Sequence, residues 1–188
     1  MNVRVGPKMG GGEVIGWWSP DPRGVLRLEE LHISRSLARS CRRFEVTFDR
    51  NFVEVMRACA DPQRPQGWIT EEFIEAYTRL HSLDFAHSVE VWRAGELVGG
   101  LYGVEVGGLF AGESMFHIVP DASKVALVAL VQRLRQCPGR RLIDVQWCTP
   151  HLSSLGVTEI GRSQYLASLP SLVREPACLR GELSTGLG

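Results

Sequence analysis

Lysine is almost missing from this sequence. Of 21 basic residues only Lys8 and Lys124 are lysines, and 21 acidic residues bring the formal net charge to zero. A chain without net charge has no global attraction to a polyanion or a membrane surface, so any RNA contact must use local basic patches. Long apolar runs are missing too. None reaches the roughly 18 residues that a membrane-spanning helix needs, so no membrane partner is expected. The first ten residues carry no apolar signal-peptide core. The five cysteines (Cys41, Cys59, Cys137, Cys148, Cys178) are odd in number and show no C-x-x-C spacing. A zinc site or a disulfide framework is therefore not expected, and a reducing, cytoplasmic setting is. Neither G-x-x-x-x-G-K-[ST] nor G-x-G-x-x-G occurs, so phosphate-loop and dinucleotide readings have no support.

What is present is an ordinary globular mixture. The chain has 188 residues, 44% hydrophobic and 22% charged, enough for one domain with a full core. Residues 1–16 are Gly-rich and aperiodic, which reads as a flexible tail. Trp17-Trp18-Ser19-Pro20-Asp21-Pro22-Arg23 is a rigid segment whose plain role is a strap packed across the core. Ser34 to Arg43 predicts a short helix capped by Ser34, with Arg35, Arg39 and Arg42 on one side. A solvated face is the bland account of these arginines, and a phosphate-contacting patch the sharper one. Phe44 to Phe48 alternates as a strand. Asp49 is expected to cap a helix running to about Ala60, and Thr70 to cap the next, with Glu71 and Glu72 in its first turn.

Two strands, 88–93 and 96–105, should form a hairpin at Ala94-Gly95, with a second turn at Gly107-Gly108. The stripe Val125, Leu127, Val128, Leu130, Val131 and Leu134 predicts a helix over 121–136, stopped by Pro138-Gly139. A strand over 141–147 follows, then a short turn or helix near 151–155 and a helix over about 163–169. The stretch 170–188 shows no period and reads as a C-terminal tail. This order gives a mixed α/β (α+β) class, with a central sheet flanked by helices.

Three polar residues stand in apolar company: Glu113, Asp144 and Gln146. The last two are two apart on a strand, so alternation puts them on one face. An acid and an amide on a buried segment must be hydrogen-bonded or catalytic, and the residues alone leave both open. Glu113 is a lone carboxylate that either pairs within the fold or binds a cation. Leu101, Leu130, Leu134 and Ile143 read by periodicity as core, and equally as the wall of an apolar slot. Trp68 either anchors a loop or stacks on an unpaired base. Lys124, with Ser123 near a helix start, is placed to meet a phosphate.

Several ordered segments carry a resemblance to a known family. They include Trp17-Trp18-Ser19-Pro20-Asp21-Pro22-Arg23, Leu31-His32-Ile33-Ser34-Arg35-Ser36 and Gly67-Trp68-Ile69-Thr70. Further on come Ala76-Tyr77, His87-Ser88-Val89-Glu90-Val91-Trp92, Gly112-Glu113-Ser114-Met115-Phe116, Leu142-Ile143-Asp144-x-Gln146 and Ser154-Leu155-Gly156. Together they span about residues 17–169, and the set resembles the leucyl/phenylalanyl-tRNA–protein transferases. The resemblance implies an acetyltransferase-superfamily-like core over 17–169, with the family's small N-terminal domain essentially missing. It implies transfer of Leu, Phe or Met from charged tRNA to the N-terminal Arg or Lys of a protein, marking that protein for degradation. No cofactor and no metal are implied.

Residue by residue, the resemblance assigns Asp144 and Gln146 to catalysis and Glu113 to the acceptor. It assigns Leu101, Leu130, Leu134 and Ile143 to the donor pocket, and Trp68 and Tyr77 to the tRNA 3′ end. Arg35, Arg39, Arg42 and Lys124 become tRNA phosphate contacts. The stretch Trp147-Cys148-Thr149-Pro150-His151 departs from the family's usual residues. Two other readings stand beside this one. A coenzyme A-dependent N-acyltransferase is suggested by fold analogy alone, and the Q/R-x-x-G-x-G/A loop such enzymes usually carry is missing. The other is a non-catalytic module that binds tRNA or basic N-termini.

Overall fold

The computed structural model describes residues 2–7, 13–60 and 68–179, without the side chains of 2–7 and 13–18. Strand β1 (Asn2–Pro7) pairs antiparallel with β2 (Glu13–Trp18). A two-stranded hairpin thus occupies most of the stretch expected to be a tail. Its strands carry Val3, Val5, Val14 and Ile15, β-branched residues that suit a pleated backbone despite the glycine-rich surroundings.

The main sheet has seven strands. They are β3 (Arg23–Arg27), β4 (Glu45–Phe48), β5 (Ala86–Arg93), β6 (Glu96–Val106), β7 (Leu109–His117), β8 (Leu142–Gln146) and β9 (Thr158–Ile160). Their spatial order is β4-β5-β6-β7-β8-β3-β9. Every pair is antiparallel except β7–β8, which is parallel. The mixed α/β class is therefore the observed one. The hairpin at Ala94-Gly95 is present, with φ of 53° and 81° at its two central residues. That left-handed pair matches the twist of the flanking strands.

Helix α4 (Ala122–Arg135) lies on one face of the sheet and buries Val125, Leu127, Val128, Leu130, Val131 and Leu134. It meets Val89, Val91, Leu101, Phe110 and Ile143 in the largest core cluster. The short helix α1 (Arg35–Cys41), capped by Ser34 through Leu37 N–H at 3.2 Å, packs beside α4. Helices α2 (Phe52–Cys59) and α3 (Glu71–Ser82) cover the opposite face, against Ala86, Tyr102 and Phe116. Beyond the short α5 (Pro150–Ser153), helix α6 (Arg162–Leu172) closes a third cluster with Val25, Leu142, Ile160, Tyr165 and Leu172.

Three local expectations are corrected. Asp49 does not cap α2, which starts at Phe52 after Asn51. Its carboxylate instead binds His87 Nδ1 and Ser88 N–H, both at 2.8 Å. Helix α6 does not stop at residue 169 but runs through Pro170 to Leu172. The expected C-terminal tail is anchored as far as Leu179. Cys178 and Leu179 are buried, and their backbone N–H groups donate to the Glu105 carboxylate at 2.8 and 3.0 Å. Cys178 is also joined to Cys137 by a disulfide, with Cα atoms 5.9 Å apart. Counting cysteines could not show this, because the fold alone brings these two positions together. No helix among the described residues is long and apolar enough to cross a membrane.

Candidate functional site

The site begins where two strands part. Strands β7 and β8 pair only at Leu109–Leu142, Phe110–Ile143 and Ala111–Asp144. Beyond that point β7 continues along β6 to His117, whereas β8 ends at Gln146. Parallel strands that separate leave backbone groups without ladder partners. Gln146 supplies one replacement, its amide Nε2 donating to the Gly112 carbonyl across the split at 3.2 Å. Against this bridge lies a cleft of about 220 Å³, lined by Leu101, Phe110, Met115, Leu130 and Ile143 and by the polar Glu113 and Gln146.

Leu101, Leu130 and Ile143 therefore converge on one cleft, and Leu134 does not. It lines a separate cavity of about 430 Å³ with Arg27, Arg135, Arg140 and Arg141. Leu130 and Leu134 share a helix face, but four residues carry the second about 6 Å further along the axis. Leu127, three residues before Leu130, takes the place expected of Leu134. The sequence signal for it was the same stripe, read toward the other end of the helix. Trp147, Thr149 and Leu152, from the segment after β8, complete the cleft and had no signal of this role.

Asp144 and Gln146 are coupled, but not by their side chains. Asp144 Oδ1 accepts the backbone N–H of Gln146 at 2.9 Å. This is an Asx-turn, in which an acid holds the backbone two residues on. Gln146 has φ of 67°, and Trp147 N–H donates to the Val145 carbonyl at 2.7 Å. Together these close a γ-turn centred on Gln146, a strained conformation for a residue with a side chain, costing about 1–3 kcal/mol. Strand alternation thus ends one residue too early for the expected side-by-side pair. The amide NH₂ goes to Gly112 rather than to Asp144. Gly24 lets the turn lie down on β3, since a Cβ there would meet Trp147 C and Cys148 N at 2.8 Å.

Behind the turn, the buried Asp144 carboxylate is held from two further elements. Its Oδ2 accepts Arg23 Nε and Nη2, each at 2.8 Å, and the Tyr165 hydroxyl at 2.7 Å. The Arg23 guanidinium lies 4.5 Å from the centre of the Tyr165 ring. Sequence reasoning missed both residues. Arg23 closes a motif that read as a packing strap, and Tyr165 carried no distinguishing signal.

Glu113 owes its orientation to a bulge. Tyr102 pairs with Ser114 and Gly103 with Gly112, so Glu113 is the unopposed residue on β7. Bulges re-aim side chains in this way. Burial pushes its carboxyl up to about 7, against smaller opposing effects of the Gln146 amide and the Tyr77 hydroxyl that lie near it. Burial, with the Glu113 charge second, raises the Tyr77 hydroxyl in turn. Tyr77 also packs edge-on to Tyr102, ring centres 5.6 Å apart. Glu113 Oε2 and the Tyr102 hydroxyl are both buried without a hydrogen-bond partner. Such groups call for a ligand or a water.

The remaining expected residues lie outside the cleft. Trp68 packs edge-on to Phe73, ring centres 5.4 Å apart. Arg35 and Arg39 are exposed on α1, and Arg42 is exposed at its C-terminal cap. Lys124, in the first turn of α4, pairs with Asp121 at 3.3 Å. Among the described residues, no group of three or more His, Cys, Asp or Glu side chains is placed to hold a metal ion.

Residues 25–170 match a family model described as leucyl/phenylalanyl-tRNA protein transferase. The chain is 49% identical over 183 residues to a leucyl/phenylalanyl-tRNA–protein transferase of Syntrophotalea carbinolica, which covers 95% of this chain and 79% of that one. Its counterpart in Herpetosiphon aurantiacus is 54% identical over 154 residues, covering 80% of this chain and 79% of that one. Among solved structures, a GCN5-related N-acetyltransferase from Kribbella flavida aligns with a TM-score of 0.48 at 10% identity, over 76% of this chain and 55% of that one.

Proposed function

The chain belongs to the leucyl/phenylalanyl-tRNA–protein transferase family, and from that premise we propose the substrates and the role of each residue. The enzyme takes Leu, Phe or Met from charged tRNA and joins it to the N-terminal Arg or Lys of an acceptor protein. The acceptor is thereby marked for N-degron-dependent degradation in the cytoplasm. The observation that carries this reading is the apolar cleft at the strand split, which ends on one amide and one carboxylate with an unpartnered oxygen.

The donor ester is already activated, so the site needs to align two substrates and help an amine lose its proton. The donor side chain enters the cleft between Leu101, Leu130 and Ile143. The acceptor's cationic side chain binds Glu113, supplying the partner that Oε2 lacks. Its α-amine donates to the Gln146 side-chain carbonyl, which is available because the NH₂ end is engaged by Gly112. The amine nitrogen attacks the ester carbonyl, the new C–N bond forms, and the C–O bond to ribose breaks. The amine proton ends on the departing ribose oxygen. An amide is a weak base, so Gln146 works by orientation more than by proton abstraction.

Trp68 is assigned to the terminal adenine of the tRNA and Tyr77 to the adjoining 3′ end. Arg35, Arg39, Arg42 and Lys124 are assigned to phosphates. The test is single-turnover transfer of labelled Phe from charged tRNA to a peptide beginning with Arg. Transfer to this peptide, and none to one beginning with Glu, is the expected result. No transfer to any acceptor would overturn the reading.

A further inference from the structure

We propose that Arg23 and Tyr165 are positioning residues for the transfer reaction, acting through Asp144 to hold the Gln146 amide across the strand split. The inference rests on the reading that Gln146 faces the attacking amine. Neither side chain lines the cleft, so neither can touch a substrate there. Both reach it through one buried carboxylate.

That carboxylate does more than balance a charge. The Arg23 guanidinium alone would neutralise Asp144, with two nitrogens on Oδ2 at 2.8 Å. The Tyr165 hydroxyl, on the same oxygen at 2.7 Å, adds direction rather than charge. With Oδ2 held from β3 and from α6, the carboxylate cannot rotate, and Oδ1 is aimed at the Gln146 N–H. The arginine stacked over the tyrosine ring keeps the two donors in one rigid unit. Gln146 needs such restraint because its positive φ is a conformation it would otherwise leave. If φ relaxes, the side chain swings with it, and the contact to the Gly112 carbonyl is lost.

The experiment is a pair of double-mutant cycles. Tyr165→Phe removes only the hydroxyl. In the otherwise native enzyme it should slow single-turnover transfer about tenfold and leave donor and acceptor affinities within about twofold. Arg23→Lys, which keeps the charge but loses the fork and the stack, should act in the same direction. In a Gln146→Ala background the further loss from Tyr165→Phe should fall below about twofold, because the group being positioned is gone. An equal loss in both backgrounds, a loss confined to donor affinity, or no loss at all would overturn the proposal.

A second cycle needs no catalysis. Urea unfolding of Tyr165→Phe is compared in the native and the Gln146→Gly backgrounds. Glycine takes a positive φ without strain, so the hydroxyl should matter less to stability there. An equal loss of stability in the two backgrounds would overturn the clamp. A native protein without transfer activity would overturn the parent reading instead, and the urea cycle would still decide whether these side chains hold the Gln146 backbone.

Discussion

On the β8 bank of the strand split, Asp144 has both oxygens occupied. Arg23 and Tyr165 fill one, and the Gln146 backbone fills the other. On the β7 bank, Glu113 sits at a bulge with one oxygen buried and unpartnered. Two carboxylates a few residues from the same notch are thus treated in opposite ways. A saturated acid has no capacity left for a substrate and can serve only by fixing what it holds. An acid with an empty acceptor position is held away from water at a cost, and a cationic ligand removes that cost. Burial is what raises the Glu113 carboxyl to about 7.

Breaking the saturated bank should have the largest effect. Asp144→Asn replaces one acceptor oxygen with an NH₂ that must face the donors of Arg23 and Tyr165 or the N–H of Gln146. One hydrogen bond becomes a donor–donor clash, and the γ-turn loses its hold. Single-turnover transfer should fall by a factor on the order of 100 or more, the range for positioning groups in proton transfer. Donor and acceptor affinity should change little, since Asp144 does not line the cleft. A mutant with full activity would remove the difference between the two banks.

The other bank responds to pH. Glu113→Gln keeps the shape and removes the charge, so affinity for an Arg-initiated peptide at pH 8 should fall on the order of 30-fold. In the native enzyme that affinity should rise between about pH 6 and 8, as a carboxyl near 7 ionises, and in the mutant this component should be gone. Stability moves the opposite way. The folded carboxyl, raised from 4.5 to about 7, binds a proton that the unfolded chain has already released in that window. Stability therefore falls as pH rises from 4.5 to 7 and is flat for this group outside those limits. Above pH 7 the cost is on the order of 3–4 kcal/mol, since each pKa unit corresponds to about 1.4 kcal/mol. Urea unfolding should show Glu113→Gln more stable than the native protein at pH 8 and indistinguishable at pH 4. A constant difference at both pH values would mean that Glu113 is satisfied in the fold.

The same contrast separates what could be read in the sequence from what could not. Turns and helices with local signals were legible. Ala94-Gly95 announces its own hairpin, and the stripe from Val125 to Leu134 announces α4. Ordered motifs such as Gly112-Glu113-Ser114 and Leu142-Ile143-Asp144-x-Gln146 were enough to show the family resemblance and the three polar candidates. Their geometry was not legible, because it depends on partners far along the chain. The bulge that re-aims Glu113 exists only against the register of β6. Strand β3 is short and gains its meaning from pairing with β8 and β9. Nothing in a glutamine announces a left-handed backbone, so alternation placed the Asp144 and Gln146 side chains together when the turn sets them apart.

The smallest effect tests the floor between the banks. Leu130 and Leu134 are equivalent by sequence, both buried on one face of α4. The structure puts only Leu130 against the cleft, while Leu134 faces the cavity around Arg135 and Arg141. Leu130→Phe should narrow a space of about 220 Å³ and favour the smaller donor. The ratio of Leu to Phe transfer should rise roughly tenfold, since about 1.4 kcal/mol of differential fit is ordinary for a hydrophobic pocket. Leu134→Phe adds the same ring one turn away and should shift that ratio by less than about twofold, whatever overpacking does to stability. The ratio is the right measure because both donors compete for the same folded molecules, so a loss of active enzyme cancels. If both substitutions shift it equally, the donor does not occupy this cleft. If only Leu134→Phe shifts it, the donor site lies in the arginine-lined cavity, and the strand split has some other purpose.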